Sequence, residues 1–161
     1  MKASHFSPDI QEFLFLLSIH KVRYVIVGGE AVIYYGFARL TGDVDFFFEP
    51  SVNNVQKLYR ALDEFWQGSI PGIRSPDELM SPGVIIQFGV PPNRIDLVSS
   101  ITGVSFKEAW KSRTREKVKI KKRLYPVFFI GLDQLIKNKE AINRPKDLDD
   151  LRYLKAAAKK R

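Results

Sequence analysis

The 161-residue sequence predicts an α/β (α+β) fold, a mixed β-sheet covered by helices within one domain. Segments with apolar residues at helical spacing alternate with short runs of β-branched and aromatic residues, the pattern of a sheet layered against helices. Turn formers punctuate the junctions, as at Gly28-Gly29, Pro91-Pro92-Asn93 and Asn143-Arg144-Pro145. No internal repeat, low-complexity tract or interdomain linker divides the chain, and a chain of this size buries ~70% of its unfolded surface.

Each element has a local reason. Ser7 reads as an N-cap, Pro8 as the first helical residue and Asp9 as an early acid, opening a helix to about His20. Its apolar residues Ile10, Phe13, Leu14 and Leu17 follow the i, i+3, i+4, i+7 spacing. Residues 23–27 form a buried strand, which Gly28-Gly29 turn into a short helix through Ala31, Val32 and Tyr35. Residues 44–48 are the next strand, and Ser51 caps a helix through Val52, Val55, Leu58, Leu62 and Phe65. Residues 67–82, rich in Gly, Pro and Ser, read as an irregular surface segment. Residues 84–88 and Arg94–Val98 pair as a hairpin, and 105–111 make a short helix. A basic strand follows, then a strand over 126–130, and finally helices over Leu132–Ile142 and 146–159. Residues 20–130 thus hold the sheet core and 131–161 the C-terminal helices of a single domain over 1–161.

Composition narrows the function. No apolar run approaches the ~18 residues of a membrane span, and the N-terminus leads into an amphipathic helix, not a signal peptide. The cytoplasm is the default location. The chain has no cysteine, which removes disulfides, Cys-zinc sites and thiol catalysis. His5 and His20 are the only histidines, so metalloprotease and serine-hydrolase chemistry lack material. Charge is uneven. Residues 1–100 hold 8 Lys+Arg against 11 Asp+Glu, whereas 101–161 hold 18 against 7. A pI near 9.7 suggests a polyanionic partner such as nucleic acid.

Three acids stand inside strand-like sequence: Asp43 and Asp45 before Phe46-Phe47-Phe48, and Asp96 between Ile95 and Leu97. Acids avoid strand interiors, and two unit charges ~4 Å apart repel by roughly 4 kcal/mol at a surface-like dielectric. A compensating cation is required, and for hard carboxylate oxygens Mg²⁺ is the natural one. In a strand Asp43 and Asp45 point to the same face. The pattern reads as a divalent-metal phosphoryl-transfer site.

The basic half contains Arg113, Arg115, Lys117, Lys119 and Lys121 at every second position, which places all five on one strand face with Val118 and Ile120 opposite. Such a ridge protects a sheet edge. Cations ~7 Å apart also approximate phosphate spacing along a nucleic-acid backbone.

The order strand, Gly28-Gly29, helix, Asp43-x-Asp45 strand and later Asp96 strand resembles the DNA polymerase β-type nucleotidyltransferase superfamily. Arg39-x-Thr41 before the acid pair, and Lys139-x-Ala141-x-x-Arg144-x-Lys146-Asp147-x-x-Asp150, make the chain similar to its minimal members. These include abortive-infection-type toxins of toxin–antitoxin pairs. Many relatives carry a further helical domain that grips the acceptor, and none is expected within these 161 residues.

The resemblance implies a nucleotidyltransferase fold and Mg²⁺-dependent transfer of a nucleoside monophosphate from an NTP to a hydroxyl. Asp43, Asp45 and Asp96 would be the catalytic and metal-binding acids, holding two Mg²⁺ ions or Mn²⁺ in their place, with Asp96 as base or ligand. Gly28, Gly29, Arg39, Thr41 and Lys139 would surround the nucleotide. Lys139 falls on the apolar stripe of its helix, so it must snorkel or line a cleft. Arg115, Lys117, Lys119, Arg144 and Lys146 would meet acceptor phosphates, and Tyr34 or Tyr35 would stack on a base or pack in the core. The leading acceptor is an RNA end such as tRNA, with an antitoxin or helper protein as a further partner. The alternatives are nucleotide transfer to a protein side chain and a non-catalytic nucleotide- or RNA-binding module.

Overall fold

The structure, a computed structural model, describes residues 1–160. Ser7 Oγ accepts from the Ile10 amide and opens α1 (Pro8–Ile19), where Pro8 loses nothing by lacking an N–H. β1 (Tyr24–Val27) is buried along its whole length and runs straight into α2 (Gly28–Tyr34). β2 (Asp43–Phe48) and α3 (Val52–Phe65, capped by Ser51) follow. The irregular segment contains one 3-10 turn, Pro76–Met80. β3 (Ile85–Phe88) and β4 (Arg94–Val98) make the expected antiparallel hairpin. α4 (Phe106–Lys111), β5 (Thr114–Ile120), β6 (Arg123–Phe129), α5 (Leu132–Ile142) and α6 (Leu148–Lys159) complete the chain. Asn143 adopts the left-handed conformation (φ 54°, ψ 45°) that ends α5. Among the described residues no helix is long and apolar enough to cross a membrane.

The strands form one mixed sheet in the order β3-β4-β2-β1-β6-β5. β2 lies antiparallel to β1 and parallel to β4, and β1 lies parallel to β6. Helices pack on both faces. Phe46 meets Phe13 of α1 edge-on at 5.2 Å, while Phe47 meets Phe106 of α4 at 5.1 Å. That double cover explains why Phe46, Phe47 and Phe48 are consecutive, not alternating with polar residues: a strand buried on both faces reads as a continuous apolar run. Each buried phenylalanine contributes ~1.5–3 kcal/mol. These residues anchor the strand whose first half carries two acids.

The basic run departs from expectation. It does not carry all five cations on one strand face: β5 starts after Arg113, and Lys121 and Lys122 take positive φ (52° and 68°) and turn the chain back into β6. Two consecutive left-handed residues match the twist of a tight hairpin, and the return pairs Val127 and Phe129, both fully buried, with β5. Lys121 therefore leaves the stripe, pairing with Glu12 at 3.1 Å and lying over the Phe15 ring. Arg113 precedes β5 and stacks on Trp110 at 3.7 Å. The stripe is Arg115, Lys117 and Lys119, exposed on an edge strand with Val118 and Ile120 buried opposite.

Candidate active site

β1 ends where β2 and β4 begin, and a cleft of about 660 Å³ opens there. Alternation puts Asp43 and Asp45 on one face of β2, and the parallel ladder sets Asp45 beside Asp96 on β4. Carboxylate oxygens of the three acids lie within 4.8 Å of one another. The glycine turn makes this possible. Gly28 has φ +67°, and a Cβ there would collide with Asp45 Oδ2. A Cβ on Gly29 would stand 2.7 Å from Thr41 Oγ1 and 3.1 Å from an Arg39 nitrogen. Only bare backbone lets these side chains close over the turn.

Arg94 is the residue that sequence reasoning missed. Its guanidinium donates to Asp43 Oδ2 at 2.6 Å and to both oxygens of Asp96 at 2.9 and 3.1 Å. The signal was present: Arg94 and Asp96 are two apart on one strand, so they share a face. Thr41 Oγ1 donates to Asp43 Oδ1 at 3.4 Å and Gln87 to Asp96 Oδ2 at 3.3 Å. Asp45 receives no such cation. Burial, then the charges of Asp43 and Asp96 and a hydrogen bond with Asp96, push its carboxyl up to about 7, with Arg94 only partly offsetting them.

The opposite wall comes from α5 and the turn into α6. Lys139, 3% exposed, places Nζ 3.1 Å from both Asp147 Oδ1 and Asp150 Oδ2. Arg39 pairs with Asp150 at 3.0 Å, and Arg144 with Asp147 at 2.7 Å. Burial alone would raise the Asp147 carboxyl, but hydrogen bonds from Arg144 and Lys139, and their charges, hold it below its usual value. Asp147 and Asp150 are thus further functional candidates, visible beforehand only as part of a motif. Lys139 does line the cleft, as its place on an apolar stripe implied, with its charge engaged by two acids.

One cleft therefore gathers Gly28, Gly29, Arg39, Thr41, Asp43, Asp45, Asp96, Lys139, Arg144 and Lys146. Arg115, Lys117 and Lys119 are not among its lining residues. They stand on β5, three ladders from β2, or ~14 Å across the sheet. Tyr34 stacks on Phe129 at 4.0 Å and donates to Glu116, while Tyr35 donates to the Ile130 carbonyl. Both rings serve the core.

The donor set suits a hard divalent cation. It offers carboxylate oxygens from three residues at ligand spacing, and the raised Asp45 carboxyl marks a negative charge that Arg94 leaves uncompensated. The guanidinium between Asp43 and Asp96 is a monovalent stand-in for such charge. Arg94→Gln is accordingly expected to bind Mn²⁺ ~5- to 10-fold more tightly, a gain of ~1–1.4 kcal/mol, while melting earlier without metal. Electron paramagnetic resonance titration measures the first and thermal unfolding the second. Weaker Mn²⁺ binding would show instead that Arg94 positions the acids for the ion.

A family model described as a nucleotidyltransferase of unknown function (DUF6036) matches residues 9–157. Comparison with curated proteins finds no match.

Proposed function

The chain belongs to this nucleotidyltransferase family, and from that premise we propose that it moves a nucleoside monophosphate from an NTP onto an acceptor hydroxyl. One observation carries the reading: three strand carboxylates converge within 4.8 Å at the foot of a glycine turn, in an open polar cleft. Asp43, Asp45 and Asp96 would hold Mg²⁺, as two ions or with Mn²⁺ in their place, to supply Lewis-acid polarisation and charge neutralisation at the phosphoryl oxygens.

The chain's own residues do the rest. Gly28 and Gly29 carry no side chain to keep phosphates from the backbone, and Arg39 and Thr41 close over that turn. Lys146 lines the same cleft and has no ion pair among the described residues, so its charge is free to meet phosphate. Lys139 braces α5 against α6 at the wall facing the nucleotide. The acceptor oxygen bonds to the α-phosphorus as the α–β anhydride bond breaks and pyrophosphate leaves. Asp96 takes the hydroxyl proton.

The basic C-terminal half favours an RNA end, such as that of tRNA, as acceptor. The similarity to minimal toxin-like members supports a place in a toxin–antitoxin pair. Incubation with each α-labelled NTP, Mg²⁺ and total RNA or total protein tests the reading. Label is expected in RNA and absent with Asp45→Asn. Label confined to protein would replace the acceptor class, and label in neither would leave a binding module of the same fold. Induction in a host without a partner protein should arrest growth, and the Asp45→Asn chain should not.

A further inference from the structure

At the end of the sheet opposite the acidic cleft, where β1 starts, two adjoining clefts share Arg23 and Trp110. The first is a space of about 320 Å³ faced by Leu17, Tyr24, Trp110, Pro126 and Phe128. Together the clefts carry five cations, Lys21, Arg23, Lys57, Lys107 and Lys111, against one acid, Glu49. Glu49 reaches only Arg23 among them, at 3.5 Å.

Trp110 is the centre of this face. The Arg113 guanidinium lies 3.7 Å from its ring centre and that of Arg23 5.5 Å. Arg113 Nε is buried without a hydrogen-bond partner. Burial, then the like charges of Arg23 and Arg115, pull the Arg113 guanidinium below its ordinary value. Two guanidiniums thus crowd one indole, with the Arg115 charge close enough to repel that of Arg113. Arg115 also stands opposite Phe128, and Lys117 opposite Pro126, in the β5–β6 ladder, so the exposed edge stripe shares the sheet face of this cleft.

Like charges gathered beside an aromatic wall raise the energy of the free protein, and a polyanion relieves it. A single-stranded nucleic acid brings both complements, flat bases for the aromatic wall and phosphates for the cations. An acidic peptide would satisfy the cations and leave the apolar cleft unfilled. We propose that this face docks a single RNA strand, with a base in the Trp110–Phe128 cleft and flanking phosphates on Arg23, Lys57 and the β5 stripe. The identity of the strand rests on the RNA-acceptor reading above; docking itself requires neither NTP nor metal.

The chain has two tryptophans, so Trp66→Phe leaves Trp110 as the sole reporter. In that background, with EDTA present, anisotropy of a labelled 12-nucleotide RNA and Trp110 fluorescence are followed together across salt concentrations. Binding with quenched Trp110 fluorescence is expected. Arg23→Gln with Lys57→Gln should weaken it ~10-fold or more and lower the slope of log K against log salt by ~1.4, for two single-strand phosphate contacts. Unchanged affinity and salt slope in that variant would overturn the proposal, as would duplex RNA, matched DNA or polyglutamate binding as tightly with the same quench. RNA that docks and quenches but never receives label would uphold this surface and remove only the acceptor assignment.

Discussion

Asp45→Asn is expected to lose nucleotide transfer by ~10²–10³-fold or more and yet give a more stable metal-free protein at pH 8. The opposite signs share one cause. The folded-state carboxyl sits at about 7 against 3.8 ordinarily, so between those values the folded chain holds a proton that the unfolded chain has released. Stability contributed by this group therefore falls as pH rises from about 4 to 7, and above that window the full cost of the buried, crowded charge is present. At ~1.4 kcal/mol per pKa unit the cost approaches ~4 kcal/mol. Asparagine keeps the shape, donates from its amide to Asp96 and removes the charge. The variant should melt ~5–10 °C higher than wild type near pH 8, with the gap closing near pH 4. Saturating Mg²⁺ should shrink or reverse the gap, because only the intact acid set gains from binding. Differential scanning calorimetry with and without metal, beside the labelled-NTP assay, provides the measurement. A variant that transfers nucleotide at the wild-type rate removes the chemistry assigned to these acids, and one that is less stable at pH 8 removes the electrostatic account.

Lys139→Met has the second largest expected effect, and it falls on stability first. A lysine facing a triphosphate would lose ligand affinity and keep its packing. The structure instead places Nζ between Asp147 and Asp150, all three side chains nearly inaccessible. Methionine fills the space but leaves two buried carboxylates short of a partner. Breaking a buried pair costs ~3–5 kcal/mol, and Arg144 and Arg39 retain one acid each, so a loss of ~2–3 kcal/mol is expected, or ~5–10 °C in Tm. Replacing Asp150 by Asn in the same chain should restore part of it, since the orphaned charge is then gone. Asp147 adds a pH signature opposite to that of Asp45. Its depressed carboxyl contributes stability above its ordinary range that is lost as pH falls through the acid region. A Lys139→Met protein that melts like wild type but binds NTP weakly would move the lysine from the brace to the ligand.

The sequence alone determined the elements and the chemistry within each. Ser7, Ser51 and Ser105 cap the helices they precede, and the i, i+2 spacing of Asp43 and Asp45 dictates a shared strand face, because caps and alternation are properties of neighbouring residues. The tertiary structure decided what met across chain distance. The sheet order sets β2 beside β4 and so Asp45 beside Asp96, and only that pairing lets Arg94 bridge its strand neighbour Asp96 and Asp43, 51 residues before it. It also seats Lys139 on Asp147 and Asp150, which engage the charge that was expected to meet the nucleotide. The basic run shows the boundary most plainly. Its every-second-residue pattern was legible, but the turn at Lys121-Lys122 answers to the burial of Val127 and Phe129 in the sheet. Arg113 likewise answers to Trp110 on α4. Periodicity describes a segment in isolation, whereas register, pairing and burial are settled by the free energy of the whole core.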